Sequence, residues 1–224
     1  MKKTFIFILF SLVTLAGMAQ RKSVSILGDS YSTFQDYVVP DTNFVWYPLH
    51  DGNKNDVTKV EETWWHILLK ETGYKLEQNN SFSGSTIGYH GYGDEDYELR
   101  SFENRKSFLG CPDIILIFGG TNDSWSGTKV GEYKYEGWTK KDLWDYRPAL
   151  AKMLEFMKFR YVNTDIYFIL NTELRDDITE STLTLCKHYD IPVIKLHDID
   201  KQAGHPSIKG MKQVAEQVKA AIVK

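Results

Sequence analysis

Asp113-Ile114-Ile115-Leu116-Ile117-Phe118-Gly119-Gly120-Thr121-Asn122-Asp123 is the stretch that decides the fold. Five apolar residues in a row, with no polar residue alternating among them, describe a strand covered on both faces. That is the condition of the centre of a parallel sheet. Upstream, Ser23 to Leu27 is a second short apolar run, ending at Gly28-Asp29-Ser30. Between the two lie a polar excursion over 35–60, a helical pattern over 61–71 and a strand over 74–78. A Ser/Asn/Gly-rich loop over 79–93 and a helical pattern over 94–109 complete this interval. Trp64, Trp65, Ile67, Leu68 and Leu69 carry the first helical pattern, and Gly73 stops it. Downstream, a second excursion over 119–144 precedes a helix over 145–161, with Pro148 tolerated in its first turn. A strand over 165–170, a helix over 176–189, a strand over 192–196 and a closing helix over 207–223 follow. Five strands separated by helices predict an α/β fold, an open parallel sheet with helices on both faces. Ligands bind such sheets beyond the carboxyl ends of the strands, where Ser30, the 79–93 loop and Asn122 all fall.

With 224 residues and neither repeat nor linker, the chain suits one domain. A charged fraction of 25% beside 42% hydrophobic residues excludes disorder. The net charge of -3, with no Lys/Arg cluster beyond the N-terminus, argues against nucleic acid as a partner. Lys2 and Lys3, the apolar run from Phe5 to Leu15, and the small residues Gly17 and Ala19 read as a signal peptide over 1–19. The apolar run is short for a membrane span, so the expectation is a periplasmic or secreted domain over 20–224 without stable membrane insertion. Loss of Lys2 and Lys3 takes the formal charge from -3 to -5. Cys111 and Cys186 lack metal-site spacing, and two separate thiols are the simpler expectation over a disulfide.

Four short motifs fall at strand ends. Gly28-Asp29-Ser30 places a hydroxyl at a strand-to-helix turn; by itself the tripeptide is also ordinary turn chemistry. Gly84, in Ser83-Gly84-Ser85, brings a bare backbone N–H close to whatever binds there. Asn122 follows the most buried strand and can aim a side-chain N–H at a carbonyl oxygen, or simply close the strand as an Asx turn. His205 precedes Pro206, which restricts it to extended backbone on a fixed loop; the other five histidines lack such a setting.

In that order the four motifs strongly resemble those of the SGNH hydrolases, the GDSL esterase family, whose name records the Ser, Gly, Asn and His matched here by Ser30, Gly84, Asn122 and His205. The resemblance covers about residues 23 to 223. It implies a three-layer α/β/α sandwich with a five-stranded parallel sheet, flavodoxin-like in arrangement. It also implies that Ser30 attacks an ester carbonyl, that His205 is the general base, and that Ser30, Gly84 and Asn122 form the oxyanion hole. No metal or organic cofactor is implied.

One departure stands out. The family usually has an Asp three residues before the His, and position 202 is Gln. Three arrangements are open: Asp200 serves as a third member, a backbone carbonyl or Gln202 holds His205 in a Ser–His dyad, or the site is weakened or inactive. The expectation favours a working site with Asp200. The two excursions are aromatic-rich and should wall the crevice; Trp125, Tyr135 and Trp138 are the rings expected to bind substrate. For a chain that resembles the SGNH hydrolases and is expected to be exported, a polar, aromatic rim without an apolar lid implies release of acyl groups, acetyl above all, from a small-molecule or glycan ester. A lipase or thioesterase and a non-catalytic glycan-binding protein are the alternatives.

Overall fold

The computed structural model describes residues 21–48 and 54–223. The expected signal segment and His50 lie outside these residues. At the centre is β3 (Ile114–Phe118), with all five residues buried. It pairs in parallel with β1 (Ser23–Gly28) on one side and β4 (Asp165–Leu170) on the other. β2 (Lys75–Ser81) lies outside β1 and β5 (Val193–Lys195) outside β4, giving the parallel order β2-β1-β3-β4-β5.

Helices cover both faces, giving the three-layer α/β sandwich. On one face α1 (Trp64–Thr72) and α6 (Ile208–Ile222) pack over Val24, Ile26, Ile114, Leu116 and Phe118. α6 presents Met211, Val214, Ala215, Val218 and Ile222, a spacing of three and four residues that makes one apolar stripe. On the other face α2 (Phe102–Arg105), α4 (Tyr146–Arg160) and α5 (Asp176–His188) pack over Leu27, Ile115, Ile117 and Phe168. The chain leaves β1 toward β2, then crosses back to β3 on the opposite side. The crevice between the ends of β1 and β3 is therefore the switch point where a ligand fits. Ser30 stands in the turn that follows the first of these strands, and Asn122 in α3 (Thr121–Trp125), which follows the second.

Two expectations are corrected. The 94–109 interval is not one helix. α2 covers four residues of it, among tight turns. The reason lies in its backbone donors: Tyr97, Phe102 and Glu103 give their N–H groups to the carbonyls of Tyr89, Thr86 and Ile87. These residues clamp the preceding loop instead of building a helix ladder. The second correction is an unforeseen hairpin, β6 (Lys201–Gln202) with β7 (His205–Pro206), whose two turn residues are Ala203 and Gly204. Cys111 and Cys186 are both free; one is exposed and the other buried.

Candidate active site

Ser30 opens a single tight helical turn directly after β1. Asp29 caps that turn by accepting from the Tyr31 N–H at 3.0 Å, and the Ser30 carbonyl accepts from both the N–H and the hydroxyl of Thr33. The turn is thus held by groups other than the Ser30 side chain. The Ser30 Oγ lies 2.8 Å from His205 Nε2. On the other side of the ring, His205 Nδ1 lies 3.1 Å from the Ala203 carbonyl oxygen. A carbonyl only accepts, so Nδ1 carries the proton, and Nε2 is left with the lone pair that faces the serine hydroxyl.

This geometry comes from the hairpin. Ala203 and Gly204 both have positive φ, 49° and 75°, as a two-residue turn between strands requires. The turn folds the Ala203 carbonyl back beneath the imidazole. Tyr31 donates to the Gly204 carbonyl at 2.6 Å and Tyr47 to the Pro206 carbonyl at 3.0 Å, pinning both sides of His205. Trp46 stacks flat on the ring, with centroids 3.8 Å apart and planes 9° from parallel. Burial removes water from the imidazolium form and lowers the His205 pKa to about 4; the Ala203 carbonyl opposes that shift, and Lys201 adds slightly to it.

Asp200 is not a third member of this pair. Its carboxylate accepts from the hydroxyl of Ser207, and Ser207 in turn caps α6 by accepting from the Gly210 N–H at 3.1 Å. The acid serves the start of a helix, where unpaired N–H groups need acceptors. Gln202 also turns away: its amide meets the backbone N–H and the carboxylate of Asp56 at 3.0 and 3.3 Å. Asp200→Asn is therefore expected to change kcat/KM less than about fivefold while costing about 1 kcal/mol of stability. Parallel kinetics and thermal unfolding check this; a loss near 10⁴ would restore Asp200 to the triad.

The other two sequence candidates are assembled beside Ser30. Gly84 has φ +76°, and a Cβ there would lie 3.0 Å from Arg100 Nη2, so only glycine fits without strain. Its loop is tied to the end of β1 by the Phe82 N–H, which donates to the Gly28 carbonyl at 3.1 Å. Arg105, fully buried, braces the same loop by donating to the Gly28 carbonyl, the Asn80 carbonyl and the Ser85 hydroxyl. Among the described residues, the N–H groups of Ser30 and Gly84 have no backbone acceptor. Asn122 donates one amide hydrogen to the Ser85 carbonyl at 3.0 Å, and its side-chain oxygen accepts from the Tyr92 hydroxyl at 2.9 Å. Those two bonds fix the plane of the amide and leave one N–H to give. Asp29 and Asp123, both fully buried behind this region, have pKa values raised to about 7, chiefly by desolvation.

Sequence reasoning did not single out Tyr92, Ala203, Arg105 or the stacking role of Trp46. Tyr92→Phe removes the bond that holds the Asn122 carbonyl. It is expected to lower kcat about tenfold with KM nearly unchanged, because an amide free to turn is aimed less well at a developing charge. Steady-state kinetics of the variant checks this; a rise in KM alone would make Tyr92 a substrate contact instead.

Of the three rings expected to bind substrate, Trp125 is at the site. It is 46% exposed, and its ring meets His205 edge-on at 5.9 Å. Tyr135 and Trp138 are elsewhere. Tyr135 packs on His188 at the end of α5, and Trp138 donates to the Lys134 carbonyl beside α4. The chain after Gly127 leaves the crevice because the carbonyls of Lys129 and Val130 accept from the N–H groups of Tyr146 and Arg147, the free donors at the start of α4.

A family model described as GDSL-like lipase/acylhydrolase matches residues 22–222. The chain belongs to this ester-hydrolase family. Two solved structures of GDSL-like proteins agree, both named lipases only provisionally. The one from Bacteroides uniformis is 52% identical over 90% of this chain and 95% of its own, with a TM-score of 0.89. The one from Bacteroides ovatus is 56% identical over 90% and 98%, with a TM-score of 0.88. An acetyl xylan esterase from Butyrivibrio proteoclasticus shares the fold at 16% identity, covering 91% of this chain and 63% of its own, with a TM-score of 0.54. Curated proteins give no match.

Proposed function

We propose that this GDSL-family chain is a serine esterase that releases small acyl groups, acetyl first, from carbohydrates, using a Ser–His dyad. The observation that carries the reading is the Ser30 hydroxyl 2.8 Å from His205 Nε2, with the opposite ring nitrogen on a carbonyl. As Ser30 Oγ bonds to the ester carbonyl carbon, its proton passes to His205 Nε2. The carbonyl oxygen becomes an oxyanion, held by the N–H groups of Ser30 and Gly84 and the free amide hydrogen of Asn122. When the C–O bond to the alcohol breaks, His205 returns the proton to the departing oxygen and leaves an acyl group on Ser30. Water, deprotonated by His205, then attacks that acyl group, and the acid departs as Ser30 Oγ takes the proton back. The Ala203 carbonyl keeps the ring in the productive tautomer throughout. Trp46, stacked on the imidazole, holds the ring in place and shields it from water.

The acid limb of the pH–rate profile follows from His205. The base must be neutral, and its pKa is lowered to about 4, so kcat/KM is expected to stay level down to about pH 5 and halve near pH 4. Trp46→Ala uncovers the ring and is expected to move that limb up toward 6.5. Rates from pH 3.5 to 9 for the two proteins check both; an unmoved limb near 6.5 in wild type would mean an imidazole that water reaches freely.

Carbohydrate rather than lipid is supported by the half-exposed Trp125 beside His205, a ring suited to a sugar face, and by the fold shared with an acetyl xylan esterase. The provisional lipase naming of the two Bacteroides structures favours long acyl chains instead. Acetate release from acetylated xylan, pectin and host glycans, measured beside hydrolysis of long-chain acyl esters, separates the two. Rapid cleavage of long chains with no acetate released from any glycan would overturn the carbohydrate reading.

A further inference from the structure

We propose that the recess beside Gly84 binds a carboxylate carried by the ester substrate, and that Arg100 is the residue that holds it. This rests on the esterase reading above and names a chemical class for its substrate. The recess is a cavity of about 570 Å³ lined by Phe82, Tyr97, Leu99, Arg100 and the acids Asp96 and Glu98.

Arg100 borders the proposed oxyanion hole. Its Nη2 reaches the Gly84 carbonyl at 3.4 Å, so the cation sits against the residue whose N–H faces the reaction. Its plane is fixed by aromatic rings: the guanidinium carbon is 3.6 Å from the centroid of Tyr97 and 5.3 Å from that of Phe82. Tyr92 lies 6.5 Å from Tyr97, so one wall runs from the Asn122 amide to the recess. Among the described residues Arg100 has no acidic partner, and its Nε, shielded from solvent, donates to nothing.

The acids of the recess do not answer this charge. Glu98 pairs with Lys140, and Asp96 accepts from the Glu98 N–H at 2.8 Å while exposed to water. A planar guanidinium, held flat and half-shielded, offers a fork of N–H donors that suits a carboxylate better than any neutral sugar hydroxyl. The competing role is purely structural, Arg100 propping the Gly84 loop. That role lowers turnover of neutral and acidic esters alike, so the ratio between them isolates the proposal.

The carboxylate can sit on the sugar or on the acyl chain, and two matched pairs tell these apart. One pair is O-acetylated galacturonic acid and its methyl ester; the other is the monoadipate and hexanoate esters of 4-nitrophenol. Wild type is expected to favour the acidic member of at least one pair by about tenfold in kcat/KM, a preference that shrinks as salt is raised. Arg100→Gln is expected to bring that ratio to one or below, and Arg100→Lys to restore part of it. Equal rates within both wild-type pairs would overturn the proposal, as would a preference that survives in Arg100→Gln. Hydrolysis of 4-nitrophenyl acetate is the control. If wild type does not cleave it, the esterase reading fails and this one with it; cleavage without any charge preference removes this one alone.

Discussion

Ser30→Ala is expected to lower kcat for 4-nitrophenyl acetate at least about 10⁴-fold while leaving the thermal transition in place. The size follows from the chemistry: without Oγ no acyl-enzyme forms, and only binding and the oxyanion donors remain. The intact fold follows from the local structure. The turn at Ser30 is held by its carbonyl, accepting from Thr33, and by Asp29, so the variant loses one hydroxyl and no structural bond except that to His205. Stopped-flow and steady-state rates beside a melting curve check this. A variant that keeps a tenth of wild-type activity would place the nucleophile elsewhere.

His205→Gln is expected to cost a similar factor, about 10⁴, because glutamine fills much of the same space under Trp46 yet cannot take a proton near neutral pH. Residues that act as one unit are not additive, so the Ser30→Ala, His205→Gln double variant should be no slower than Ser30→Ala alone. An additional large loss in the double variant would show two independent contributions and would break the dyad account. Measured together, these variants also separate it from a triad: the effect of Asp200→Asn should be closer to wild type than to either of them.

The frame of this molecule is legible in the chain because burial writes itself into residue type. Ile114 to Phe118 read as a doubly covered strand and are one, and the helix after Asp145 starts within a residue of its expected place. Ser30, Gly84, Asn122 and His205 are legible only together: each motif alone is ordinary turn chemistry, and it is their order at successive strand ends that carries the resemblance to the SGNH hydrolases. What sequence could not give is the choice among nearby partners. Asp200 reads as available to His205 only because its engagement with Ser207, the residue that caps α6, arises in three dimensions. The carbonyl that replaces it belongs to Ala203, a residue with no chemical signature, and reaches the ring because Ala203 and Gly204 adopt left-handed backbone. Trp46 in the first excursion and Trp125, Tyr135 and Trp138 in the second are all aromatic rings among polar residues. Which ones meet at His205 is set by where each loop spends its hydrogen bonds, and the donors of α4 draw Tyr135 and Trp138 away.

The central claim is that His205 activates Ser30 without help from an acid. Covalent labelling tests it most directly: wild type, Asp200→Asn and His205→Gln are treated with a fluorophosphonate, and peptides are mapped by mass. The account predicts one adduct on Ser30, formed at similar rates in wild type and Asp200→Asn and nearly absent in His205→Gln. No adduct on Ser30 in wild type, or an adduct lost in Asp200→Asn and retained in His205→Gln, would contradict it.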